Sequence, residues 1–138
     1  MFKIVEKRQL AENIFQMKIA AERVARAALP GQFVIVRATE NGERIPLTIA
    51  DYDTEAGTVT IVTQTIGMST RKICALNEGD SLVDFAGPLG RPSEFVHMPI
   101  EEVRKRKYIF VGGGVGAAPV YPQVKWLAEQ GCEVDVIV

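Results

Sequence analysis

Apolar and polar residues alternate with a period of two along most of the first ninety positions. Between Asn13 and Ala20, Phe15, Met17 and Ile19 fall on every second position, the spacing that lines one face of a strand. Phe2 to Lys7, Gln32 to Ala38, Ile45 to Ala50 and Asp80 to Phe85 read as further strands. Thr58 to Gln64 is another, β-branched almost throughout. Leu29-Pro30-Gly31 and the polar run Asp51 to Gly57 read as turns, and Asn41-Gly42 predicts a tight hairpin because both residues tolerate positive φ. About six short strands at regular spacing argue a small antiparallel barrel over an open sheet.

Two places break that pattern. At Gly67-Met68-Ser69-Thr70 the alternation stops, and Arg71 to Asn77 carries Ile73 and Leu76 at helical spacing, with Gly79 placed to end the turn. Gly87-Pro88-Leu89-Gly90 leaves the sheet, and Arg91 to Arg106 reads as a connector. From Lys107 the order changes altogether. The apolar run Tyr108 to Val111 leads into Gly112-Gly113-Gly114-Val115-Gly116-Ala117-Ala118-Pro119, then a stretch with Val120, Val124 and Leu127 on one helical stripe, then a turn at Gly131 and a second β-rich run to Val138. Strand, Gly-rich turn, helix, strand is the βαβ unit that cradles a dinucleotide.

That loop carries a chemical requirement. Backbone N–H groups approach a pyrophosphate closely only where no Cβ intervenes, and a helix N-terminus behind them favours the anion. Gly112, Gly114 and Ala117 satisfy G-x-G-x-x-G/A, and Pro119 suits a first helical turn. A Gly-rich string alone is more often a flexible loop; here the flanking strand and helix point to nucleotide.

Bulk properties narrow the classes. The chain has 138 residues, 47% of them hydrophobic, enough for one full core. A net charge of −1 gives no electrostatic footprint for nucleic acid. The N-terminus has charges among its first residues and no long apolar run, so neither a signal peptide nor a membrane span is expected. The two cysteines, Cys74 and Cys132, are too far apart for a local metal knuckle and read as reduced thiols of a cytoplasmic protein. No protein acid, base or nucleophile stands out. His97, alone in the connector, reads as a surface or packing residue and Trp126 as a packing aromatic. The basic run Arg104 to Lys107 is more often a solvated segment than a docking patch for an acidic protein.

Three stretches together carry a resemblance: ERIPLTIAD from Glu43, GMSTRKI from Gly67 with GPLGRP from Gly87, and VGGGVGAAPVYPQVK from Val111. In this order and spacing the chain resembles the ferredoxin-NADP reductase superfamily over essentially its whole length. Within it the likeness is to flavin subunits of multi-subunit enzymes, those of NADH-dependent ferredoxin-NADP oxidoreductase (sulfide dehydrogenase) and of dihydroorotate dehydrogenase. The fold this implies is mainly β: a six-stranded antiparallel Greek-key barrel that binds FAD, residues 1–100, followed by an incomplete α/β (βαβ) unit, residues 101–138, that begins an NAD(P)-binding domain.

The resemblance also implies roles. Pro46, Leu47 and Thr48 match the last three positions of the family's R-x-Y-S/T strand beside the flavin, Thr48 as a hydroxyl donor and the other two through backbone. Ile45 stands where most relatives have arginine. Arg44 comes one residue early, on the opposite face by strand alternation, and Ile45 reads as barrel core. Thr63, Gln64 and Thr65 match the second flavin-edge strand. Gly67, Ser69 and Thr70 match the turn and helix start that bind phosphate, although Ser and Thr are also common helix caps. Gly112, Gly113, Gly114, Val115, Gly116 and Ala117 match the NAD(P) loop. The function implied is electron transfer between NAD(P)H, FAD and an iron–sulfur partner, a second oxidoreductase subunit or a ferredoxin. A [2Fe-2S] centre is expected only in a longer C-terminal part, because two cysteines cannot supply four thiolates. The competing class is a non-catalytic barrel retained for assembly or electron relay.

Overall fold

The computed structural model describes residues 1–138. A hairpin opens it: β1 (Phe2–Ala11) and β2 (Ile14–Ala20) pair antiparallel from Ala11↔Ile14 back to Ile4↔Ile19. β1 is therefore four residues longer than the sequence pattern suggests. A short helix not anticipated from the sequence, α1 (Glu22–Ala27), follows. Its signal was present: Ala21, Val24, Ala25 and Ala28 are all buried and fall at i, i+3, i+4 and i+7. Glu22 and Arg26 close an i,i+4 ion pair on the outer face.

β3 (Phe33–Arg37), β4 (Ile45–Asp53) and β5 (Thr58–Gln64) form an antiparallel meander, and β5 returns to pair with β2 along its whole length. The β3–β4 hairpin is real, but its turn differs from expectation. Neither Asn41 nor Gly42 has positive φ. The connection runs from 38 to 44 and is held by the Gly42 N–H on the Thr39 carbonyl at 2.9 Å. After β5, α2 (Met68–Cys74) begins three residues earlier than its apolar spacing predicts.

The expected last strand, Asp80 to Phe85, splits in two. β6 (Ser81–Leu82) pairs with β1, and β7 (Asp84–Leu89) pairs with β3 and runs on through Gly87-Pro88-Leu89. The sheet order is β6-β1-β2-β5-β4-β3-β7, so the two edge strands are separated in sequence by Val83 alone. Because one residue links opposite edges, the sheet must curl until they meet. It is a nearly closed antiparallel barrel of seven strands rather than six, with Greek-key order confined to β2–β5. Its interior is filled by Ile4, Ile19, Val34, Val36, Val59, Ile61 and Leu82, each fully buried. Burial of such side chains contributes about 1.5–3 kcal/mol apiece.

The connector is structured. Glu94–His97 forms a 3-10 turn and α3 (Ile100–Lys105) packs Val103 inward. β8 (Tyr108–Val111) and β9 (Val134–Ile137) then pair parallel, joined through a 3-10 turn at Gly114–Gly116 and α4 (Ala117–Glu129). Helix α4 lies against β4, which brings the βαβ unit onto the barrel wall.

Candidate functional site

Strand alternation sorts the first half of β4. Ile45 and Leu47 turn inward and pack on the core, and Ile49 is part of it. Pro46 is exposed and Thr48 half-buried on the outer face. Pairing between β4 and β5 runs only from Asp53↔Thr58 to Ile49↔Ile61. Beyond that point Ile45–Thr48 pair with β3 alone, while Val62–Gln64 pair with β2 alone. The strand ends diverge, and their facing backbone groups are left to another partner.

The third side is the turn into α2. Ser69 Oγ donates to Glu43 Oε2 at 2.6 Å, tying the helix start to the segment that enters β4. Thr70 Oγ1 accepts from the N–H groups of Ile66 (3.0 Å) and Gly67 (2.9 Å), so this hydroxyl shapes the turn. The first amides of α2 have no acceptor within the helix, as at any helix start. A Cβ built on Gly67 meets nothing within 4 Å, so the approach to them is open. Pro46–Thr48, Gln64–Thr65 and Gly67–Thr70 are thus brought to one edge of the barrel.

The structure separates some sequence-selected residues from this edge. Thr63 is 2% exposed, on the interior face with Val59 and Ile61, so its side chain is out of a ligand's reach. Thr65 is partly occupied by Asn13, whose carbonyl accepts from both its amide (2.9 Å) and its hydroxyl (3.4 Å). Arg44 pairs with Asp84 at 3.0 Å, beside the Arg37–Asp84 pair at 2.6 Å, and serves the β3–β7 seam. Ile45 is core packing, as its position on the strand implied. Two residues escaped the sequence reading: Ile66 and Met68 flank Gly67 and are 78% and 74% exposed. Large apolar side chains left in solvent beside an open helix start are a signal that only coordinates reveal.

The Gly-rich loop forms the second half. A Cβ at Gly112 would lie 3.2 Å from the Gly116 carbonyl and 3.2 Å from Val120, so glycine there lets β8 and α4 pack. Gly114 has φ +56°, a conformation L side chains rarely adopt. At Gly113, Gly114 and Gly116 the space a Cβ would enter is empty. The loop faces the barrel across a cleft of about 650 Å³, lined by Ile14, Ala50 and Val62 on one side and Gly114, Val115 and Ala118 on the other. That volume lies in the range of small-molecule sites. Ala50 follows Thr48 by two residues on β4, and Val62 precedes Gln64 by two on β5. Barrel edge and Gly-rich loop therefore share two strands.

Fold and sequence likeness to known proteins run the length of the chain. It is 39% identical, with a TM-score of 0.88, to a chain of NADH-dependent reduced ferredoxin-NADP oxidoreductase, a flavin-based electron-bifurcating enzyme; the match covers 99% of this chain and 47% of that one. The chain has a ferredoxin reductase-like fold over its whole length. Among curated proteins it is 40% identical over 134 residues to a homologue of the electron-transfer subunit of dihydroorotate dehydrogenase B from Thermotoga maritima, covering 97% of this chain and 45% of that protein. An uncharacterised protein of Clostridium beijerinckii is 64% identical over 137 residues, again with 46% of its length matched. The chain thus spans under half the length of these relatives. Phthalate dioxygenase reductase, at 21% identity and a TM-score of 0.71, shares the fold. No protein-family model matches the chain.

Elsewhere the molecule offers little chemistry. His97 is exposed on its 3-10 turn, and Trp126 stacks on Phe95 with ring centroids 5.4 Å apart. In the basic run, Arg104 binds the Gln130 carbonyl, Lys105 pairs with Glu102, and Lys107 with Glu133 and Asp135. The two lysines of the run thus have acidic partners. No group of three or more His, Cys, Asp or Glu side chains is placed to hold a metal. No helix is long and apolar enough to cross a membrane.

Proposed function

We propose that the chain is the flavin-holding portion of an electron-transfer oxidoreductase in which NAD(P)H, FAD and an iron–sulfur partner exchange electrons. The observation that carries this is the convergence of the β4 start, the β5 end and the α2 turn at one open barrel edge, with the Gly-rich loop opposite. A bound flavin supplies hydride and single-electron chemistry; the protein's part is to bind and orient.

In this reading residues 1–100 hold FAD. Thr48 presents its hydroxyl to the flavin ring, and the Pro46 and Leu47 backbone lies along it. Gln64 and Thr65 border the ribose and adenine end. Gly67, Ser69 and the open amides of α2 receive the pyrophosphate, while Thr70 holds that turn in shape. Ile66 and Met68 give the adenine an apolar surface. Residues 101–138 begin the nicotinamide unit: Gly112 to Ala117 hold the pyrophosphate of NAD(P)H, and the 650 Å³ cleft admits the nicotinamide toward β4.

The residues present do not fit an iron–sulfur cluster. Cys74 Sγ lies against the Thr63 carbonyl inside the barrel and Cys132 Sγ against that of Val103, and a cluster needs four ligands. A [2Fe-2S] centre is therefore assigned to polypeptide other than residues 1–138, or to a second oxidoreductase subunit or ferredoxin. Two free thiols suit a reducing compartment such as the cytoplasm.

The test is anaerobic addition of NADH or NADPH to the FAD-loaded intact protein. Bleaching of the flavin absorbance band supports the reading. A flavin that stays oxidised with both nucleotides sinks it.

A further inference from the structure

The Gly-rich loop can serve the flavin only if something fixes its distance from β4, and one ion pair crosses that seam beside the site. Lys125, on α4, donates from Nζ to Asp51 Oδ1 at 2.9 Å. Asp51 is held ready for it, since the same Oδ1 accepts the Tyr52 backbone N–H at 2.9 Å. Its outward direction also has a cause. Plain alternation would turn Asp51 to the face of Ile49, which is 1% exposed in the core. A β-bulge between Ile49 and Asp51 interrupts the β4–β5 register, Ile49↔Ile61 giving way to Asp51↔Thr60. Bulges re-aim side chains, and this one sends Asp51 toward α4 while Tyr52 packs on the core.

The contact lies in a polar part of the seam. Around it the seam is a polar cleft of about 470 Å³, with only Ala56, Pro122 and Trp126 as hydrophobic lining. Hydrogen bonding to Asp51 raises the Lys125 pKa, burial opposes it, and the neighbouring Asp51, Tyr121 and Glu129 raise it further. The lysine is thus a cation across the working pH range. Asp51 stands three residues beyond Thr48, and Lys125 two turns along the helix that the Gly-rich loop opens.

We propose that Lys125 and Asp51 are positioning residues that set the separation between the nicotinamide loop and the flavin strand. The proposal rests on the functional reading above. Lys125 is not part of the wall of the 650 Å³ cleft, although Asp51 is, and the pair acts through the rigid helix α4 and through β4. A misplacement of about 1 Å at a reacting centre can cost about a hundredfold in rate.

The experiment reads Lys125→Met and Asp51→Asn in the intact protein against wild type. With FAD bound, flavin content stays within about twofold in both variants and the NAD(P)H dissociation constant within about twofold in Lys125→Met, while the limiting rate of flavin reduction falls about tenfold or more in both. Lys125→Arg, which keeps the charge, restores most of it. The double variant is no slower than either single one, as for one shared interaction. In the flavin-free protein Trp126, the sole tryptophan, reports α4 directly: its emission shifts to the red and acrylamide quenching increases in both variants, including Asp51→Asn on the far wall. An unchanged limiting rate, an unchanged Trp126 signal, or a loss of NAD(P)H affinity in Lys125→Met as large as the rate loss overturns the proposal. A wild-type protein whose flavin NAD(P)H does not reduce overturns the functional reading instead, and the Trp126 comparison still judges the latch.

Discussion

Single residues at the barrel edge make separable predictions. Thr48 is on the outer face of β4, so Thr48→Val keeps the β-branched shape and removes one hydroxyl. The fold should lose less than about 1 kcal/mol. FAD affinity should fall roughly three- to tenfold, the worth of one hydrogen bond, read by titration of flavin fluorescence. Glu43 argues the opposite way. Its carboxylate already accepts from Ser69 at the α2 start, where the proposed site puts the pyrophosphate. Glu43→Gln should tighten FAD binding severalfold at low salt, and the gain should shrink as salt screens the charge. Unchanged affinity at every ionic strength would remove Glu43 from the site.

The glycines of the loop divide by the same reasoning. Gly112→Ala drives a Cβ against the Gly116 carbonyl and Val120, and should cost about 1–3 kcal/mol of stability. Gly116 has an ordinary φ of −64° and empty space beside it. Gly116→Val should therefore unfold within a few degrees of wild type and keep its flavin, yet abolish NAD(P)H binding by filling the cradle. Calorimetry and nucleotide titration on the two variants separate packing from recognition.

Among the elements, β5 and the β8–α4–β9 order were legible because their periods are uninterrupted. The barrel's closure was not. Asp80 to Phe85 reads as one strand, and only its division at Val83 between two sheet edges shows that the sheet meets itself. The Asn41-Gly42 signal located the β3–β4 hairpin but misjudged its turn, since a seven-residue connection needs no positive φ at either residue. Thr63 looked like a site residue because strand pattern names two faces without saying which one holds the core. The bulge before Asp51 lies outside any sequence pattern, and with it the Lys125 contact.

The β4–β5 turn carries a pH dependence at this scale. Asp53 Oδ1 accepts from the amides of Ala56 and Glu55, each at 2.9 Å, and the Ala56 bond is the main reason its pKa is lowered. A depressed folded-state pKa stabilises above the unfolded value, about 3.9 for aspartate, and that support is lost as pH falls through the lower folded value. Asp53→Asn should flatten the acid limb of a stability-against-pH curve below about pH 4, because the stability the charged carboxylate adds on the neutral plateau is missing from the variant at every pH. An identical acid limb would mean that the turn does not depend on the carboxylate.

At the scale of the whole molecule, the barrel offers one divergent strand pair, β4 and β5, and the βαβ unit one open loop that faces the same two strands across a cleft. In the proposed reading this arrangement makes the chain a two-site carrier, with flavin on the barrel and nicotinamide on the loop. The central claim is that the barrel edge reads a dinucleotide flavin through the α2 amides. Titration of the flavin-free protein with FAD and with FMN tests it most directly, because FMN carries the ring and one phosphate without the pyrophosphate link to adenine. The account predicts FAD binding at about micromolar affinity or tighter, and FMN at least about tenfold weaker. Equal affinity for the two, or a protein that takes up neither, would contradict it.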